Sequence, residues 1–79
     1  MHRQEIKEII EESIRTETEY EGDIDEKMGA DEIDGWDSLA HVRIIFRIDH
    51  HLGTQVELIA TYATNTIADL IELFVNELK

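Results

Sequence analysis

The sequence predicts an all-α domain: a small four-helix bundle of three longer helices and one short helix, with a long ordered loop after the first helix. Three observations carry that expectation. Apolar residues recur at helical offsets in three separate segments. No strand pattern competes, because Val56-Glu57-Leu58 is too short and leads straight into Ile59-Ala60. The chain has 79 residues and no cysteine, which suits a single domain over 1–79 without a disulfide framework or a thiolate metal site.

The first segment runs from Glu5 to Arg15, where Ile6, Ile9, Ile10 and Ile14 fall on one helical stripe and Glu8, Glu11 and Glu12 lie mainly opposite. From Thr16 to Trp36 no long period holds. Tyr20, Ile24, Met28 and Ile33 are spaced so that this acidic loop is expected to pack down as an ordered connection. The second helix is expected from Ser38 to Leu52, with Asp37 or Ser38 as N-cap and Gly53 in the left-handed stop position. Leu39, Val42, Ile45, Phe46 and Leu52 form its expected core-facing set, widened by Ile44 and Ile48. One to two helical turns are expected within Glu57 to Ala63. Thr64-Asn65-Thr66 then offer N-caps to the cleanest stripe in the chain: Ile67, Leu70, Ile71, Phe74, Val75 and Leu78.

Composition narrows the function classes. Seven Lys and Arg against 19 Asp and Glu give a net charge of −12, which argues against nucleic acid and against anionic membrane surfaces. No apolar run approaches the roughly 20 residues of a membrane span, so membrane insertion is not expected, and neither is a targeting segment. The expected state is a cytoplasmic monomer. No phosphate-binding glycine loop, nucleophile elbow or His-x-x-x-His pair is present. His50 and His51 are adjacent and diverge by about 100° on a helix, which does not suit a shared metal. Asp23, Asp25, Asp31 and Asp34 do not meet the spacing of a calcium loop, since starting at Asp23 places Met28 where the turn glycine belongs. No metal site and no catalytic residues are assigned.

What remains is Asp34-Gly35-Trp36-Asp37-Ser38-Leu39, at the junction of the acidic loop and the second helix. A serine at a helix start offers an exposed hydroxyl beside unpaired backbone N–H groups, a position that favours a phosphate ester. From these residues alone, simple capping by Asp37 and Ser38 is the plainer account. The wider context is the order of elements, Gly35-Trp36-Asp37-Ser38-Leu39, Val42, Leu52-Gly53 and Asn65-Thr66-Ile67-Ala68-Asp69-Leu70-Ile71. Over essentially the whole length this resembles the acyl carrier protein family, in its free-standing form.

The resemblance implies that Ser38 is the attachment point of 4′-phosphopantetheine. A phosphopantetheinyl transferase would install the arm from coenzyme A, with Asp37 and Leu39 flanking the site and Asp34 and Asp37 near the arm. The arm's terminal thiol would carry acyl or aminoacyl groups as thioesters between separate enzymes of fatty-acid, polyketide or related lipid biosynthesis. The chain would not itself be an enzyme, and its partners would be acyl-loading and acyl-processing enzymes.

Leu39, Val42, Ile45, Phe46, Ile59 and Tyr62 are the expected walls of a pocket for a short acyl chain. Partner docking is expected at Asp34, Trp36, Arg43, Arg47 and His50. Carriers of this family usually present acids along the helix after the serine, whereas this segment holds Arg43, Arg47, His50 and His51 against Asp49. Ser38 to Leu52 therefore sums to +1, leaving −13 for the rest of the chain. Either these cations pair internally with acids of the loop, or they select a dedicated set of partners, and in both cases the housekeeping fatty-acid role loses support.

Two other readings are available. An unmodified acidic helical adaptor would bind a basic protein partner. A small hydrolase would need a triad around Ser38, to which the sequence contributes only the nearby His41.

Overall fold

The computed structural model describes residues 1–79 as four α-helices and no strand: α1 (Arg3–Thr18), α2 (Ser38–Leu52), α3 (Leu58–Thr61) and α4 (Ile67–Glu77). A single 3-10 turn, Ala30–Glu32, interrupts the long loop between α1 and α2. The α1 stripe behaves as its spacing predicts, with Ile6, Ile10 and Ile14 buried and Ile9 half-buried. On α4 the buried set is Ile67, Leu70, Ile71 and Phe74, while Leu78 falls outside the helix and stays exposed. Helices α1, α2 and α4 meet around these isoleucines, and Ile33, Leu52 and Val56 close the core.

The loop is ordered by specific contacts. Ile33 is buried, and Tyr20, Ile24, Met28 and Trp36 pack against the core. The first-turn N–H groups of Ile67 and Ala68 donate to the carbonyls of Met28 (2.8 Å) and Glu26 (2.7 Å), so loop backbone satisfies donors that every helix start leaves open. Arg3 bridges Glu26 (2.7 Å) and Glu72 (2.6 Å), tying the loop to both α1 and α4. Gly35 has φ +92°, and a Cβ there would lie 2.7 Å from the Thr18 carbonyl oxygen. Only glycine allows this close approach to the end of α1, and it aims the following Trp36-Asp37-Ser38 segment.

Helix α2 corrects one expectation. Its buried residues are Ala40, His41, Ile44, Ile45, Ile48 and Leu52, whereas Leu39 and Phe46 are 60% and 61% exposed and Val42 is half-buried. At about 100° per residue, the Leu39–Val42–Phe46 arc lies opposite the Ala40–Ile44–Ile48 arc. Both arcs are apolar, so spacing alone did not decide which one faces the core. The isoleucine arc is the longer, and the bonds made by His41 fix the rotation of the helix.

Candidate functional site

Asp37 caps α2: its side chain accepts the Ala40 N–H at 2.8 Å, and its backbone carbonyl accepts the His41 N–H at 2.9 Å. This resolves the choice of cap in favour of Asp37 and leaves Ser38 as the first helical residue. Ser38 is exposed and its hydroxyl makes no hydrogen bond within the chain. The N–H groups of Ser38 and Leu39 at the helix start likewise have no acceptor. An esterified phosphate on the serine oxygen fits here, since the donors and the positive helix end would face it.

Beside Ser38 lies an open cleft of about 430 Å³. Trp36, Asp37, Ser38, His41 and Tyr62 line it, with the Tyr62 ring stacked on His41. Three threonines, Thr61, Thr64 and Thr66, add hydroxyl-bearing side chains, and Ile67 and Leu70 from α4 complete the lining. Sequence reasoning missed the threonines, Ala30, Ile67 and Leu70 as site residues. The run Thr61-Tyr62-Ala63-Thr64-Asn65-Thr66 held the signal, but the hydroxyls of Thr64 and Thr66 were accounted for as helix caps and Thr61 as part of the short helix. Thr66 is indeed the α4 cap, accepting the Asp69 N–H at 3.2 Å.

The cleft is organised by His41. The indole N–H of Trp36 donates to His41 Nδ1 at 3.0 Å. An indole can only donate, so Nδ1 is the accepting nitrogen and the ring proton sits on Nε2. Nε2–H then faces Thr61 Oγ1 at 2.7 Å, and the Thr61 hydroxyl donates to the Leu58 carbonyl at 2.6 Å. One chain of bonds thus joins the loop, α2 and α3. The His41 ring also stacks on Tyr62 (centroids 4.5 Å, 28° between planes) and on Trp36 (5.9 Å, 25°). Burial pushes the imidazole pKa below its usual value, which matches a neutral ring accepting a donor at Nδ1. With both nitrogens engaged, His41 has none free to activate Ser38 as a nucleophile.

Of the expected acyl-pocket walls, the structure brings only Tyr62 to the cleft. Ile45 is sealed in the core, Val42 does not line the cleft, and Leu39, Phe46 and Ile59 point to solvent, Ile59 being 77% exposed. Burial of the isoleucine arc turns Leu39, Val42 and Phe46 away.

Among the docking candidates, Asp34, Arg43 and His50 are exposed, and Trp36 is half-buried in its bond to His41. Arg47 is taken up internally, pairing with Glu17 at 2.8 Å. That pairing bears out the internal account for Arg47, with the difference that Glu17 belongs to the last turn of α1. Arg43 makes no ion pair. It stands with Leu39, Val42, Phe46 and His50 on one arc of α2, so a partly apolar, partly cationic stripe runs from Ser38 along the outer face.

No family model, curated protein or solved structure matches the chain. No three His, Asp or Glu side chains gather where they could hold a metal ion, and no helix is long and apolar enough to cross a membrane.

Proposed function

We propose that the chain is a free-standing carrier protein whose Ser38 is esterified by 4′-phosphopantetheine. One observation carries the reading most: an unbonded serine hydroxyl at the first position of a capped, core-anchored helix, at the mouth of a cleft. Ser38 would bear the arm, and the free N–H groups of Ser38 and Leu39 would face its phosphate. The arm would supply a terminal thiol that holds an acyl or aminoacyl group as a thioester. Asp37 and the bond chain of Trp36, His41 and Thr61 hold the attachment point in place, and the cargo would move between separate enzymes in lipid, polyketide or aminoacyl chemistry.

The outer stripe of α2 fits partner docking. Leu39 and Phe46 offer apolar area next to the arm, and Arg43 and His50 favour a partner face rimmed by acids rather than by Lys and Arg. The same stripe would also serve an unmodified adaptor, and modification at Ser38 separates the two readings. Incubation with coenzyme A and a broad-specificity phosphopantetheinyl transferase should raise the intact mass by one phosphopantetheine, with no gain in Ser38→Ala. No gain with several transferases would favour the adaptor.

A further inference from the structure

The carrier reading leaves the cargo open, and the lining of the cleft narrows it. Asp37 is the only charged residue that lines the cleft, and no Lys or Arg does. Its carboxylate spends Oδ1 on the Ala40 N–H, and Oδ2 makes no bond. The aromatic wall is electron-rich: Tyr62 stacks on His41, yet remains 56% exposed, so ring surface is open to the cleft and solvent. His41, the one residue here able to become a cation near neutral pH, is neutral and already bonded through both nitrogens.

The cleft is also a poor entrance to the core. Ile67 and Leu70 at its floor are 1% and 2% exposed, and the isoleucines behind them are fully packed. A long alkyl chain entering between α2 and α3 would have to part the bond between His41 and Thr61.

We propose that the cleft beside Ser38 is a seat for a small acyl group bearing an ammonium, that is, an aminoacyl thioester, and not for a plain alkyl chain. This rests on the carrier reading. The ammonium sits against the Tyr62 and Trp36 rings and near the free oxygen of Asp37, where cation–π and ionic attraction act together. Thr64 Oγ1, whose proton is committed to the Thr61 carbonyl at 2.6 Å, offers a further acceptor. Weak attraction suffices, because a tether on Ser38 holds its cargo at a millimolar effective concentration.

The test uses an isosteric pair differing only in charge: alaninamide and isobutyramide. Each is titrated through the millimolar range into the unmodified full chain at about 0.15 M salt, where exposed charges more than ~8 Å apart are screened. The readouts are the fluorescence and indole N–H resonance of Trp36, the only tryptophan. Alaninamide should shift Trp36 and Tyr62 saturably and bind about five-fold or more tightly than isobutyramide. Asp37→Asn, which keeps a capping side chain, and Tyr62→Leu should each reduce that preference.

Equal or tighter binding of isobutyramide overturns the inference. So does the absence of saturable shifts, or alaninamide shifts scattered over the acidic surface. These failures leave the carrier reading standing, because that reading is judged separately by the mass gain at Ser38. A chain that selects alaninamide but gains no mass would lose the carrier reading and the aminoacyl cargo with it.

Discussion

His41 is the residue on which most of the local geometry converges. Its folded-state pKa lies below the ordinary 6.5 because burial penalises the charged ring. Between that depressed value and 6.5 the unfolded chain binds the extra proton and the folded chain does not. His41 therefore contributes stability that is fully present above pH 6.5 and is lost as pH falls through the folded pKa, at up to about 1.4 kcal/mol per pH unit. Protonation also puts a hydrogen on Nδ1, facing the Trp36 N–H. Urea unfolding at pH 7.5 and 5.5 should show this loss in the parent and a smaller one in His41→Gln, with Trp36 fluorescence changing over the same range. Equal slopes in the two proteins would contradict the role given to the ring. Glu26, whose carboxyl is held low by Arg3, adds its own loss only on acidification below 4.5, so the windows are separable. The stabilising part played by His41 was not legible in the sequence. A histidine on an otherwise apolar arc can face core or solvent, and its partners Trp36 and Thr61 lie 5 and 20 residues away.

At the scale of elements, α2 is the helix whose two faces do different things. Ile48 is fully buried and Phe46 is 61% exposed, although both were expected to face the core. Ile48→Ala should cost about 2–5 kcal/mol in chemical unfolding. Phe46→Ala should stay within about 0.5 kcal/mol, as a surface change does. Comparable losses would place Phe46 back in the core and remove the docking stripe. Here the physical reason for partial legibility is plain. The start at Asp37-Ser38 and the stop at Gly53 are local chemistry and are readable from sequence; Gly53 indeed has φ +68°. Helix rotation is a tertiary property when two opposite arcs are both apolar. The Ile6–Ile14 stripe on α1 and the Ile67–Phe74 stripe on α4 have polar opposite faces, and both were read correctly. Gly35 illustrates the other kind of blind spot, since its need to be glycine comes from the Thr18 carbonyl, 17 positions earlier in the chain.

For the molecule as a whole, a −12 charge sits on a compact bundle with a Cα radius of gyration of 11.2 Å. The acids do not form a uniform coat. Glu26 and Glu72 clasp Arg3, Glu17 holds Arg47, and the outer face of α2 keeps Arg43 and His50 beside Leu39 and Phe46. The outer face of α2 thus differs in sign and in polarity from the rest, while the cleft on the other flank of Ser38 is aromatic and hydroxyl-rich, with Asp37 as its one charged lining residue. Long-range assembly, from Trp36 on the loop to Thr66 before α4, makes that cleft, and helical periodicity alone does not describe it.

The claim on which the functional account turns is that Ser38 carries the arm. Ser38 is the only hydroxyl-bearing residue between Lys27 and Arg43. After incubation with coenzyme A and a phosphopantetheinyl transferase, tryptic cleavage should release a Met28–Arg43 fragment heavier by one phosphopantetheine. An unmodified fragment, or the added mass on any other fragment, would contradict the account.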